Sequence, residues 1–386
     1  MVNYDVLVAG AGTVGCATAV ALSRLGLRVA VIAPKTTNDD VLFEPSQGKP
    51  YGNRVYAIRP STKRFLMDSH FWDDISKERV QPVRRMHIDG PSRPSLVLDA
   101  HDAGVLELAS IVESDNLKRS IDMHLRRDQS VELIYGEILS IEPMSGIVRV
   151  LASSGDMTCK LLVAADGSGS LVRQMSGLSV STRDYACTGL VANFSIGQAH
   201  QNAAYQWMGH DGVIAYLPLP GNLVSMVWSL KDELAQDIDE HVLCDFLAER
   251  YNPLEISGLK SAIGRFPLRR VLPQSVASGR VVLVGDAAHQ FLPLAGQGLN
   301  VGLSDTAQLC SLIKEYGLID PGSLSVINRY RRARKEEIES LTWFTEAIHD
   351  MAIDGTEWCH SFQNIGFNSV RRSNILRQFF IDKAMG

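Results

Sequence analysis

The chain has 386 residues, 45% of them hydrophobic and 21% charged, with a formal net charge of −5. That is an ordinary soluble globular composition with room for roughly two or three domains. No basic block dominates any region, which argues against a nucleic-acid surface, and the longest apolar runs fall far short of the roughly 20 residues of a membrane span.

The first element begins at once. Residues 4–9 read as a short buried strand, so no targeting segment is expected, and the location expected is the bacterial cytoplasm, or an organelle after processing. G-x-G-x-x-G follows at Gly10, Gly12 and Gly15. Ala17, Val20, Ala21 and Leu25 then recur at helical spacing, and residues 28–32 read as a second buried strand. A βαβ unit of about 30 residues is the context in which this fingerprint binds a dinucleotide. Gly10 allows the tight turn, Gly12 lets backbone approach a pyrophosphate, and Gly15 lets helix and strand pack closely. The helix N-terminus offers free N–H groups to the phosphates. A glycine-rich turn without a ligand is the plainer alternative, and the strand–helix–strand context weighs against it. One position departs from the pattern. The second strand should end in an acid for the ribose hydroxyls, but it ends in Ala33–Pro34. Either Asp39, Asp40 or Glu44 reaches back, or water and backbone hold the ribose.

A third buried strand, 161–165, runs into DGSGSLVR, with Asp166 at the strand end and Arg173 about two helical turns on. That spacing predicts an Asp166–Arg173 pair. Segment 180–267 alternates apolar and polar residues, as expected of a mixed or antiparallel sheet. An apolar run, 281–284, then leads into GDAAHQFLPLAGQGLN (285–300) and a helix. This places Asp286 at a strand end and Gly296, Gly298 and Gly302 around a helix N-terminus. From Ser323 onward the chain reads as helical, with RYRRARKEEIESLTWF (329–344) charged and amphipathic. The last helix gathers Ile375, Leu376, Phe379, Phe380 and Ile381 between Arg371, Arg372 and Arg377. It suits either a membrane surface or, more often for a terminal amphipathic helix, docking on its own domain or another subunit. The six cysteines, Cys16, Cys159, Cys187, Cys244, Cys310 and Cys359, form no CxxC and read as reduced packing residues.

The three motifs in this order resemble the single-component FAD-dependent aromatic hydroxylases of the para-hydroxybenzoate hydroxylase type. NRVYAIRPST (53–62), ELASIVESDNLKRSI (107–121), AYQWM (204–208), IAYLPLPGNLVSMVWS (214–229) and the terminal IDKAMG are similar to one branch, the ubiquinone-biosynthesis hydroxylases. The resemblance implies a mixed α/β fold. Its Rossmann-like FAD domain would be discontinuous, 1–71, 100–177 and 270–320. A sheet-rich substrate domain would comprise 83–98 and 180–267, and C-terminal helices 323–386. It further implies that Arg54 reaches the flavin and that Asp166, Gly167 and Arg173 belong to the FAD site. Gly285 and Asp286 would hold the ribityl and phosphate part. Pro293, Gly296, Gln297, Gly298 and Asn300 would lie at the isoalloxazine ring, where side chains would clash. The helix from about Gln297 would aim its dipole at the anionic edge of reduced flavin. Leu292 stands where many relatives carry a second histidine, and His289 reads as a structural hydrogen-bonder.

The chemistry implied needs non-covalent FAD, NAD(P)H as a transient reductant, and O2. The cofactor supplies the reactivity and the protein orients, dries and tunes it. No nucleophile and no metal is needed from the chain itself, and its catalytic side chains stay unassigned. The substrate implied is an aromatic ring, in this branch a polyprenylated phenol of ubiquinone synthesis, with other quinone-biosynthesis proteins, a homo-oligomer and peripheral membrane contact all compatible. Three rivals stay open: hydroxylation of a soluble aromatic, flavin-dependent reduction of isoprenoid double bonds, and a non-catalytic flavin-bearing scaffold subunit. Tyr205, Trp207, Tyr216 and Trp228 are candidate pocket residues, with sheet core an equal alternative for each.

Overall fold

A computed structural model describes residues 2–35, 50–89, 95–209, 212–291 and 297–353. Its elements begin with β1 (Val2–Ala9), α1 (Thr13–Ser23), β2 (Val29–Ala33), β3 (Val55–Ile58), α2 (Pro60–Asp68), β4 (Val80–Val83), β5 (Arg85–Asp89) and β6 (Ser95–Asp99). Next come β7 (Ala109–Glu113), α3 (Ser114–Arg127), β8 (Val131–Tyr135), β9 (Ile138–Met144), β10 (Ile147–Ala152), β11 (Gly155–Ala164) and α4 (Leu171–Met175). A long run of strands follows: β12 (Val180–Ile196), β13 (Ala203–Gly209), β14 (Gly212–Leu219) and β15 (Leu223–Lys231). The chain continues with α5 (Asp232–Ala235), α6 (Glu240–Arg250), β16 (Ile256–Leu259), β17 (Gly264–Pro273), β18 (Ala277–Ser278), β19 (Val281–Leu283), α7 (Gln297–Tyr316) and α8 (Leu324–Ile353).

The first sheet runs β18-β19-β11-β1-β2-β8, with β10 and β9 continuing from β11 as an antiparallel meander. Its central strands β19, β11, β1, β2 and β8 pair in parallel. Such strands are covered on both faces and need continuous apolar runs rather than alternation. Accordingly every residue of β2 and of β19 is buried. α1 crosses from β1 to β2 and packs on α3 and α7. Where α1 meets α7, the buried hydroxyls of Thr18 and Thr306 bond at 2.8 Å.

The second sheet runs β16-β12-β15-β14-β13-β5-β6, with β17 pairing β12. It is largely antiparallel, so its two faces differ. One face carries Leu190, Phe194, Ile214, Tyr216, Met226 and Trp228 and is covered by Leu243 and Leu247 of α6. The opposite face carries Ala204, Leu217 and Leu219. It packs on Val55 and Ala57 of β3 and on Ala109 and Ile111 of β7. Strands β3, β7 and β4 form a small third sheet between the two larger ones. Within 83–98, β5 and β6 pair with each other and β5 pairs with β13 of this sheet, whereas Val83 ends β4 and pairs with Ala109 of β7.

A buried bidentate ion pair fastens this junction. Arg79 Nε and Nη2 reach Glu113 at 2.6 and 2.9 Å, and Glu113 also accepts from Gly52 N at 2.8 Å. Asn193 of β12 donates to the carbonyls of Tyr51 and Gly52 at 3.0 and 3.2 Å. No helix among the described residues is long and apolar enough to cross a membrane. The expected amphipathic helix at 369–386 lies outside the described residues.

Candidate functional site

The three motifs occupy neighbouring strand ends. Gly10 N donates to Ile32 O at 2.8 Å, Ala165 N to Ala9 O at 2.8 Å, and Val284 N to Ala164 O at 2.9 Å. The C-terminal ends of β2, β1, β11 and β19 therefore form one crest, the place where ligands bind in open α/β sheets. Alongside it lies a cleft of about 1420 Å³, lined by Gly10, Gly12, Ala33, Asp166, Gly167 and the α3 side chains Lys118, Arg119 and Arg126.

The glycines of the first motif divide by what surrounds them. Gly10 has φ +105°, and a Cβ there would sit 2.4 Å from Ala165 O. A Cβ on Gly15 would sit 2.1 Å from Gly10 O. These two let the turn and helix close. A Cβ on Gly12 would meet nothing within 4 Å, and the residue is exposed. Gly12 is also the N-cap of α1, with no side chain satisfying the helix N-terminus. Open backbone, free N–H donors and the positive end of a helix dipole together fit a diphosphate. The cations of α3 on the cleft wall add to that fit.

Asp166 follows β11 but does not pair with Arg173 as the spacing predicts. Its carboxylate accepts from Ser170 Oγ and, at 3.2 Å, from Val172 N. Arg173 is buried and donates to the carbonyls of Ala287 at 2.8 Å and Ser168 at 2.7 Å. Spacing along one helix cannot reveal a carbonyl 114 residues away. Burial lowers the pKa of Arg173, and the Asp166 charge opposes that. The arginine thus ties the second motif to the third.

In the third motif Gly285, at φ +60°, opens a 3-10 turn (Gly285–Ala287) that leaves Asp286 exposed. The turn is held from below. Asp305 of α7 accepts from Gly285 N at 2.8 Å and bonds His289 Nε2 at 2.7 Å, and its other oxygen lies 2.6 Å from Arg334 Nε of α8. Arg334 also meets Glu337. Burial raises the pKa of the Asp305 carboxyl, but the neighbouring His289 and Arg334 and the Gly285 N–H outweigh it and hold it below the usual carboxylate range. His289 is buried, with Nε2 bonded to Asp305. Asp305 and Arg334 were missed in the sequence because neither lies in a motif, and their partners are on other elements.

At the start of α7, a Cβ on Gly298 would meet nothing within 4 Å. Asn300 is buried, donates to Ala57 O at 2.8 Å and accepts from Arg59 N at 3.1 Å. Asn300 thus fixes the first turn of α7 to β3 and α2. Gly302 explains the closeness of α7 to the 285 turn: a Cβ there would lie 3.0 Å from Gly285 Cα. Arg54 is exposed just ahead of β3, with its guanidinium 5.4 Å from the centre of the Tyr56 ring. Gln297 is the first residue of α7, while Leu292, Pro293 and Gly296 lie outside the described residues, as do Asp39, Asp40 and Glu44.

The four aromatic candidates lie together on the α6-covered face. Tyr205 stacks on Trp207 at 5.9 Å, Trp207 meets Tyr216 edge-on at 5.1 Å, and Trp228 stacks on Phe246 of α6 at 4.7 Å. They are packing for that face of the sheet. The face turned to β3 carries Val191, Met208, Ala215 and Val227 instead, all partly exposed.

The sequence profile described as FAD binding domain matches residues 144–345. The chain is 28% identical over 393 residues to "Ubiquinone hydroxylase UbiL" of Rhodospirillum rubrum, covering 99% of this chain and 89% of that protein. It is 26% identical over 391 residues to "3-demethoxyubiquinol 3-hydroxylase" of Escherichia coli, covering 99% and 98%. Its fold is similar to that of p-nitrophenol 4-monooxygenase PnpA from Pseudomonas putida DLL-E4, with a TM-score of 0.76 at 20% identity over 100% of this chain and 99% of that one. Since the profile spans more than half of the chain and takes in both the Asp166 and the Asp286 turns, the protein belongs to the FAD binding domain family.

Proposed function

We propose that the protein is an FAD-dependent monooxygenase that uses NAD(P)H and O2 to hydroxylate an aromatic ring, a polyprenylated phenol on the route to ubiquinone. One observation carries the reading: three turns that fit FAD meet on one crest, in a chain aligned over nearly its full length with two ubiquinone-pathway hydroxylases. When bound, FAD supplies the hydride acceptance and the oxygen activation.

The chain's own residues supply binding, orientation and dryness. Gly12 and the α1 N-terminus would take the diphosphate. Asp286, exposed on a turn held by Asp305, would take the ribityl hydroxyls. Backbone at Gly298, open above the first turn of α7, would lie against the ring system, with the helix dipole favouring negative charge there. The partly exposed apolar row Val191, Ala215 and Val227, with Met208 beside it, would receive a benzenoid ring and the start of an isoprenoid tail. Such a wall excludes water while offering few competing polar groups.

The test is coupled turnover. NAD(P)H oxidation should accelerate when a hydrophobic phenol is supplied, with hydroxylated phenol formed in proportion. In a strain lacking the protein, an under-hydroxylated prenylated phenol should accumulate. Equal oxidation rates with and without every phenol, together with unchanged quinone lipids in that strain, would defeat the proposal and leave the scaffold reading.

A further inference from the structure

We propose that Glu137 is the acid that receives the adenosine ribose hydroxyls, in place of the missing carboxylate at the end of β2. The inference rests on FAD as the bound cofactor. In a dinucleotide site that acid normally stands at the end of the second strand, on the nucleotide side of the crest. Here Ala33 stands there, 7% exposed and without a polar side chain. The next strand comes within one sheet spacing of it. β8 pairs in parallel with β2, Ala33 lies beside Tyr135, and Gly136 N donates to Ala33 O at 3.0 Å. Glu137 is the next residue. It is exposed and lines the same cleft as Gly10, Gly12, Ala33 and Pro34.

Its backbone is held rather than loose. Glu137 N donates to Ser153 Oγ at 3.0 Å, and Ser153 N donates back to Glu137 O at 2.9 Å. Gly136 permits that approach, because a Cβ there would sit 2.6 Å from Ser154 Oγ. A fixed backbone presenting an ionisable side chain to a cleft is what a binding position requires. The rival acids on the cleft wall are accounted for or badly placed. Asp122 pairs with Lys118, and Asp128 accepts from Ser23 Oγ and Ser130 N. Asp115 lies in the first turn of α3, beside Gly52. Among the described residues the Glu137 carboxylate has no hydrogen-bonding or ionic partner of its own, so it can accept from both ribose hydroxyls.

The test uses full-length protein stripped of flavin and titrated with FAD, followed by flavin fluorescence. Glu137→Gln should weaken FAD binding by about 10- to 100-fold, the range for losing a hydrogen bond to a charged acceptor. ADP should compete for the cleft better than 2′,3′-dideoxy-ADP in the wild type, and Glu137→Gln should erase that preference. Ala33→Glu alone should give no gain, since it sets two carboxylates side by side, but it should recover affinity in the Glu137→Gln background. Affinity for FAD within twofold of wild type in Glu137→Gln overturns the inference. So does a loss that affects ADP and its dideoxy analogue equally. Failure of the wild type itself to bind FAD would instead overturn the cofactor reading on which the inference stands.

Discussion

Glycine serves two opposite purposes within a few residues of the crest. At Gly10 and Gly15 the neighbour a side chain would strike is the protein's own backbone, so substitution there costs the fold. At Gly12 and Gly298 there is open space, so substitution should leave the fold intact and strike only a ligand. Gly298→Val tests this cleanly, because valine is no worse than glycine inside a helix. Thermal unfolding of the flavin-free protein should be unchanged or slightly raised, while FAD binding or turnover is lost. Unchanged affinity and turnover in that variant would place the flavin ring elsewhere. Positions such as Gly10, Gly12, Gly15, Asp166 and Asp286 were legible because each motif couples residue type to a local turn. Arg173 was legible as a motif member but not as a contact. Its partners, the carbonyls of Ala287 and Ser168, are set by which strands lie side by side.

At the scale of elements, α8 is more than a charged surface helix. The sequence 329–344 reads as amphipathic, yet Arg334 is only 1% exposed and Tyr330 is fully buried, donating to Leu283 O at 2.8 Å. Helical periodicity marks a face but cannot say that an arginine on it meets an aspartate on another helix. Removing one partner of a buried pair strands the other charge, so Arg334→Ala should destabilise by about 3–5 kcal/mol in denaturant titration. It should also loosen the Gly285 turn and with it FAD affinity. The same network predicts an acid limb. The Asp305 carboxyl titrates lower when folded than the roughly 3.9 of an unfolded aspartate. Its contribution is therefore complete above about pH 4 and is lost as pH falls through the folded value. Asp305→Asn should flatten that limb of the stability profile, and an unaltered profile would count against the network.

For the whole molecule, the sequence announced a second sheet but not which way it faces. Alternation along β13, β14 and β15 separates Tyr205, Tyr216 and Trp228 from Ala215 and Val227, and the period is identical whichever set is turned inward. From the sequence the aromatic set suited a pocket or the sheet core equally, because large rings serve both. Tertiary packing by α6 claims it instead. The substrate-facing reading accordingly moves to the smaller row. Ala215→Trp should raise the KM for a hydrophobic phenol by an order of magnitude or more while leaving FAD affinity near wild type. The same KM in that variant would put the substrate on another wall.

The joining of strand ends from both halves of the chain sets an order on biosynthesis. β1 has β2 beside it early, but its other neighbour, β11, ends at Ala164, and β19 and the arginine that secures the Gly285 turn arrive only at 281–283 and 334. At roughly 5–20 residues per second, about 15 to 65 seconds separate translation of Gly10 from that of Arg334. Throughout that interval the fingerprint turn exists without the turn that completes the crest. Flavin capture therefore waits on the later turns, and the flank of β1 is open until β11 is made, the flank of β11 until β19 is made.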